Sequence, residues 1–167
     1  MPTALDADPQ WLDEHEKNFV ANIRKFGWFA THVFADDGLP GFSYTTGIWT
    51  SLKFPELITF SLKRENAHGI FWEVFNAVKA GTEIAVGKPI PEMLVNGDIT
   101  LLPVDTSQFE AYLGWSRWFY GGDNFRCLQL VWPDRSGRFP WQIDFDIEFA
   151  DQQPDLTSGA WGRSGLS

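Results

Sequence analysis

Cysteine is almost absent from this 167-residue sequence, and its scarcity excludes several architectures. The single thiol, Cys127, allows neither an intramolecular disulfide nor a cysteine-rich metal site. No apolar run approaches the ~20 residues that a membrane-spanning helix needs. The N-terminal stretch MPTALDADPQWLDEHEK lacks the apolar segment of a secretory signal. We therefore expect a cytoplasmic protein that does not associate with membranes.

Basic residues are also scarce. There are 13 Lys and Arg against 22 Asp and Glu, which gives a net charge of −9. Binding to nucleic acid depends on basic side chains that neutralise phosphates. Here they are scattered, and the longest basic runs are the pairs Arg24-Lys25 and Lys63-Arg64. We expect no nucleic acid among the partners, and instead a basic protein steered by the acidic field, or a small-molecule ligand.

Aromatic residues, in contrast, are abundant, at 16% of the chain with nine tryptophans. The hydrophobic fraction of 44% and the charged fraction of 21% are typical of a folded globular protein. A chain of this length usually forms one domain. We predict a single globular domain over residues 1–150, followed by a loosely ordered tail over 151–167 that is rich in Gly and Ser.

Three helices and six strands are predicted from periodicity and from capping residues. The helices span about 8–27, 66–80 and 107–119, and the first is bounded by Asp8, Pro9 and Gly27. The strands are predicted at 28–35, 42–49, 56–62, 99–104, 125–132 and 139–149. Short turns between neighbouring strands favour antiparallel pairing. The expected class is α+β, with a mainly antiparallel, strongly bent sheet or partly open barrel flanked by about three helices.

The stretch QLVWPDRSGRFPW, at 129–141, has aromatic residues and prolines on both sides of a polar turn. It predicts a hairpin in which Trp132 faces Phe139 across the strands. On one interpretation these rings only close a core. On the other, the hairpin end is an exposed recognition surface, because Trp and Arg commonly anchor interfaces. The candidate binding residues in this stretch are Trp132, Asp134, Arg138 and Trp141.

Common catalytic signatures are missing. GFSYT, at 41–45, has Thr45 where a nucleophile elbow requires its second glycine. HEKNF, at 15–19, ends in Phe19 where a zincin helix has histidine, and the Gly-Lys pair at 87–88 is followed by Pro89. We expect no metal site and no cofactor.

The polar residues that remain as catalytic candidates are His32, Tyr44 and His68. His32 and the run from Ser43 to Thr46 lie on strands that we expect to pair, which would bring them close together. A neutral histidine can act as a general base, although a histidine on a strand is often only a core residue. Thr46 and Tyr120 are further binding candidates. Tyr120 precedes two glycines, which suit either ligand approach or a tight turn.

The motifs GW…HVF, PGFSYTTGIW, PELI, FYGG and QLVWPDRSGRFPW together resemble the bacterial domain-of-unknown-function family 4262 over residues 27–146. The resemblance implies a bacterial, cytoplasmic, single-domain protein. It implies no activity, cofactor or catalytic residue.

The leading functional hypothesis is a non-catalytic module that binds a protein or a small ligand, with toxin neutralisation or a defence role among its uses. It is motivated by the acidity, the excess of aromatic residues and the missing catalytic patterns. The alternatives are a hydrolase or transferase with His32 or His68 as general base, and a barrel that binds flavin or nucleotide.

Overall fold

A computed structural model describes residues 2–94 and 97–162 of the chain. In these residues, six strands form one sheet: β1 Phe29–Val33, β2 Phe42–Thr46, β3 Glu56–Phe60, β4 Pro89–Leu94, β5 Gly97–Pro103 and β6 Cys127–Val131. The same part of the chain has five α-helices: α1 Glu14–Phe26, α2 Ile48–Leu52, α3 Arg64–Lys79, α4 Phe109–Tyr112 and α5 Gly114–Tyr120. The α+β class is confirmed.

The sheet has the strand order β1-β2-β3-β6-β5-β4. Four of the neighbouring pairs are antiparallel, whereas β3 and β6 are parallel. The sheet is therefore mainly antiparallel, as expected, but the parallel pair makes it a mixed sheet. The partly open barrel is wrong, because β1 and β4 lie at opposite edges of an open sheet. The flavin- or nucleotide-binding alternative depended on such a barrel.

Helices cover both faces of the sheet. On one face, α3 packs over apolar side chains of β3, β5 and β6, such as Leu57, Leu101 and Leu130. On the other face, α1, α4 and α5 pack over Tyr44 and Phe60 and their neighbours. Every residue of β3 and β6 is buried, as expected for central strands covered on both sides.

Helix ends follow the local capping chemistry. Asp13 accepts a hydrogen bond from the Glu16 N–H and starts α1, whereas Asp8 caps a separate 3₁₀ turn over Pro9–Trp11. The helix predicted over 8–27 therefore begins later, and it ends at Gly27 as expected, with φ 90°. The third predicted helix is divided at Leu113 into α4 and α5.

The final hairpin is the clearest error of the sequence prediction. Residues 139–149 form turns and a short 3₁₀ helix at Ile147–Phe149, not a strand. The reason is topological: β3 and β5 occupy both edges of β6, so no edge is free for a further strand. The sequence prediction also missed β4. Its two prolines, Pro89 and Pro91, weaken a strand pattern, but they are compatible with the edge position that β4 takes.

The tail, for which we expected loose order, lies against the body in its described part. The Gln153 amide donates to the Trp132 carbonyl and accepts from the Trp132 N–H. The Gln129 side-chain amide donates to the Pro154 carbonyl and accepts from the Leu156 N–H. The Leu156 side chain is buried in the core. Residues 163–167 of the predicted tail lie outside the described residues.

One buried carboxylate joins several of these elements. Glu56, at the start of β3, is fully buried. Its two oxygens accept five hydrogen bonds: from Thr45 Oγ1 at 2.7 Å, from the N–H groups of Gly47, Ile48 and Trp49 at 2.9, 3.2 and 3.1 Å, and from the Tyr120 hydroxyl at 2.5 Å. Burial raises the pKa of Glu56, and the hydrogen bonds from Tyr120, Thr45 and the backbone oppose that shift. Because all five partners donate, the arrangement fits the ionised carboxylate.

Replacing this carboxylate by its amide tests its structural role. In Glu56→Gln one oxygen becomes an NH₂ group that faces N–H and O–H donors. We expect a loss of about 3 kcal/mol in the free energy of unfolding. Urea denaturation of both proteins measures it, with the exposed Glu83→Gln as a matched control. A loss no larger than that of the control would contradict the role assigned to Glu56.

Candidate functional site

Three surface clefts, of 720, 340 and 570 Å³, meet at the edge strand β1. His32 of β1 and Arg64 of α3 line all three. The 340 Å³ cleft lies between β1 and α1, and the 570 Å³ cleft lies between β1, the end of α1 and the exposed side of α3. We call these two the α1-side cleft and the α3-side cleft. Their junction is the candidate functional site.

Helical spacing accounts for how α3 contributes to the α3-side cleft. Arg64, His68, Trp72 and Asn76 are each four residues apart and therefore share one side of the helix. The opposite side, which includes Ala67, Phe71 and Val74, is buried against the sheet. The amphipathic pattern that fixes the helix on the sheet thus also directs this polar and aromatic row toward β1.

The His32 side chain contacts a residue of β2 and lies close to one of α3. It pairs with Ser43 across β1 and β2, and its Nδ1 lies 2.7 Å from the buried Ser43 Oγ. The predicted proximity of His32 to the Ser43–Thr46 run is confirmed. The ring of the exposed His68 lies 6.5 Å from that of His32, between centroids. Burial lowers the pKa of His32, and the charges of Arg64 and His68 lower it further, whereas Glu65 opposes the shift.

The α3-side cleft has a basic lining. Lys25, Arg64 and Lys79 line it together with the two histidines, and no acidic side chain of the described residues does. Phe26 and Trp72 add apolar surface that is 56% and 55% exposed. This lining is opposite in sign to the chain as a whole.

The other predicted candidates near β2 have internal partners. The Tyr44 hydroxyl accepts a hydrogen bond from the Trp115 N–H at 3.0 Å, and burial raises the pKa of Tyr44. Thr46 Oγ1 lies 2.6 Å from Ser116 Oγ, and Tyr120 donates to Glu56. These three buried side chains connect α5 to the sheet and do not line the two clefts.

The candidates around the predicted hairpin turn are placed elsewhere. Trp132 is buried, and its indole N–H donates to the Phe60 carbonyl at 2.8 Å. The Asp134 carboxylate accepts from the N–H groups of Ser136, Arg138 and Asp146, each at 2.9 Å, and so fixes the turn. Trp141 stacks on Phe139, with ring centroids 5.1 Å apart. The Arg138 side chain is exposed.

Three residues of the site were not singled out from the sequence: Lys25, Arg64 and Lys79. Arg64 and His68 are four residues apart, but the helix predicted over 66–80 leaves Arg64 out, whereas α3 begins at Arg64. The contribution of Lys25 from α1 depends on tertiary packing and left no local signal.

No group of three or more His, Cys, Asp or Glu side chains that could hold a metal ion occurs in residues 2–94 and 97–162. Among the helices of these same residues, none combines the length and apolar character required to cross a membrane.

An α+β domain with an open, mixed six-stranded sheet and a cleft beside its edge strand is the class that this geometry defines. The sequence model of a family described as "Domain of unknown function (DUF4262)" matches residues 22–146. The chain belongs to this family. The matched segment contains the whole sheet together with His32, Arg64 and His68. No curated protein and no solved structure gave a match.

The lowered pKa of His32 gives a test of the site's electrostatics. Its charged form is disfavoured in the folded state, so the free energy of unfolding should fall as the pH drops below the ordinary histidine value of 6.5. Removing the neighbouring cation in Arg64→Ala should raise the pKa of His32. NMR titration of the His32 ring protons measures the shift, and Arg126→Ala, an exposed arginine outside the three clefts, is the control. An unchanged midpoint in Arg64→Ala would contradict this account.

Proposed function

We propose that the chain is a non-catalytic binding module that holds an anionic ligand in the α3-side cleft. The observation that supports this is the concentration of Lys25, Arg64 and Lys79 around one cleft of a protein with net charge −9. Cations clustered on an otherwise acidic surface attract an anion locally, because salt screens the more distant acidic groups beyond about 8 Å.

The cleft also has the size and mixed lining of a ligand site. Its 570 Å³ volume falls in the range of roughly 300–1,000 Å³ usual for such sites. Phe26 and Trp72 provide exposed aromatic surface, and the neutral form of His32 provides a directional hydrogen-bonding group. The expectation of a basic protein partner follows the net charge, whereas this proposal follows the charge at the cleft.

Binding of charged homopolymers tests the sign of the ligand. Labelled poly-L-glutamate should bind the protein and poly-L-lysine of equal length should bind less tightly, as measured by fluorescence anisotropy at an ionic strength of about 0.15 M, where the distant acidic groups are screened. Loss of all three cations in the Lys25→Ala, Arg64→Ala, Lys79→Ala variant should weaken poly-L-glutamate binding about ten-fold, because each exposed charge contributes modestly.

A triple variant outside the cleft serves as the matched control. Lys17→Ala, Lys88→Ala and Arg126→Ala together remove the same charge from residues that line none of the three clefts. Equal weakening in both triple variants would show only a general charge effect. That result, or tighter binding of poly-L-lysine, would overturn the proposal.

A second candidate function follows from one specific contact. Ser43 Oγ and His32 Nδ1, 2.7 Å apart, form a nucleophile and base pair of the kind that hydrolases and transferases use. In that reaction the Ser43 oxygen would attack an ester carbonyl while His32 accepts the hydroxyl proton. The ester C–O bond then breaks, the alcohol leaves with that proton, and water, activated by His32, hydrolyses the acyl group from Ser43. Ser43 is only 4% exposed, so substrate access is restricted, and this is the reason that binding remains the leading proposal.

Hydrolysis of p-nitrophenyl acetate tests this candidate. If the pair is catalytic, Ser43→Ala and His32→Ala should each reduce the rate about 100-fold or more, because both groups act in one step. The exposed Ser136→Ala is the matched control and should keep the wild-type rate. A rate that is equal in all four proteins would remove the candidate.

A further inference from the structure

We infer that the anion bound beside β1 is an extended acidic peptide, which joins the sheet as an additional strand. This inference rests on the proposed function and specifies its ligand. Three observations support it: the backbone edge of β1, which has no strand partner among the described residues, the clefts on both sides of that edge, and the distribution of charge between them.

The first observation is the free backbone edge. Gly41 O accepts a hydrogen bond from Ser61 N at 2.8 Å, in the same register that pairs Phe42 with Phe60. Antiparallel partners that exchange hydrogen bonds recur at every second residue. Odd-numbered residues of β2 therefore direct their backbone groups toward β3, and even-numbered residues direct theirs toward β1.

The β1–β2 register then identifies the outward groups. Phe42, Tyr44 and Thr46 pair with Val33, Thr31 and Phe29, respectively. The backbone N–H and C=O groups of the two alternate residues, Ala30 and His32, consequently point away from β2. Since β1 ends the sheet, these groups can pair with an incoming strand.

The second observation is the pair of clefts that flank this edge. Ala30 and His32 line both the α1-side cleft and the α3-side cleft. A strand laid along β1 would direct successive side chains alternately to the two faces of the sheet, and so into the two clefts in turn. Helices α1 and α3 thus leave a slot between them, and the edge of β1 forms the base of this slot.

The third observation is the difference in charge between the two clefts. Lys25 and Lys79 line the α3-side cleft but not the α1-side cleft, and Arg64 lines both, so acidic side chains at every second position of the peptide suit the α3 side. The α1-side cleft has Phe19, Phe29 and Trp115 among its lining residues, which suit apolar side chains between the acidic ones.

A second copy of the chain fits this slot less well. Its own edge strand, Phe29–Val33, has the sequence FATHV and contains no acidic residue. Edge-to-edge pairing of two copies would also place the basic residues of one copy near those of the other, which is unfavourable. An acidic peptide from a different chain is therefore the occupant that the charges favour.

Backbone-methylated peptides test the pairing directly. The probe is a synthetic peptide in which Glu and Val alternate, made in three forms: unmodified, with N-methyl groups on the Glu amides only, and with N-methyl groups on the Val amides only. All three have the same charge. We expect one methylated form to bind about ten-fold more weakly than the unmodified peptide, because it lacks the donors directed at β1, and the other to bind nearly as well.

Hydrogen exchange on the protein provides the second measurement. On binding the unmodified peptide, the Ala30 and His32 amides should become protected, whereas protection of the Thr31 amide, which points toward β2, should change little. The pattern requires no substitution in the protein, so a failure to fold cannot imitate it.

The outcomes separate the peptide inference from the proposed function. Equal affinities of the three peptides, all reduced in the Lys25→Ala, Arg64→Ala, Lys79→Ala variant, would overturn strand pairing and leave the anion site intact. No binding of any peptide, together with no binding of poly-L-glutamate, would overturn both. Concentration-dependent dimers with protected Ala30 and His32 amides in the absence of peptide would assign the edge to a second copy and also overturn the inference.

Discussion

The buried carboxylate of Glu56 is the interaction on which the rest of the structure depends. It lies at the first residue of a central strand, yet its hydrogen bonds come from β2, α2 and α5. It satisfies the otherwise unpaired N–H groups at the start of α2, as an anion at a helix N-terminus commonly does. Gly47, at that start, has φ 113°, and an added Cβ would lie 2.8 Å from the Gly27 carbonyl oxygen. The chain can turn there only because glycine is present, and the turn aims the N–H groups at Glu56.

The faces of the sheet are covered and the polar side chains beneath α5 are already paired, so the candidate ligand site lies at the edge of the sheet. Helices cover both faces, and the side chains that connect α5 to the sheet, such as Thr46 and Tyr120, already have partners. The edge strand β1 and the side of α3 that faces away from the core are available to a ligand. The net charge of the chain does not reveal this basic cleft, because acidic residues elsewhere outnumber the basic residues that line it. Charge has to be considered cleft by cleft before a partner is chosen.

Local signals predicted much of the fold. The apolar period of α3, the stop at Gly27 and the pairing of His32 with Ser43 all follow from residues close in sequence. Strand order did not follow, because the parallel pairing of β3 with β6 joins segments about seventy residues apart and has no local signature. The same holds for the site. His32 and His68 were identified by residue type, whereas Lys25 and Lys79 became relevant only when α1 and α3 were placed on either side of β1.

The aromatic residues at 129–141 pack against partners other than those that a hairpin would provide. The aromatic residues there were correctly expected to pack, but β6 already has a neighbour on each side, so Trp132 instead donates to Phe60 of β3. A pattern of alternating bulky residues predicts which side chains are buried, but it does not predict which strand they pack against.

The side-chain amides of Gln129 and Gln153 join residues 153–156 to the end of the sheet. The family segment ends at residue 146, but these glutamines bond the backbone of residues on both sides of that limit. Leu156 completes the apolar interior, and Ala4 does so from the other end of the chain. A protein cut to the family limits would leave Gln129 and the Trp132 backbone without their partners and would expose the core at two places. We therefore expect a stable protein to need residues on both sides of the segment that the family model matches.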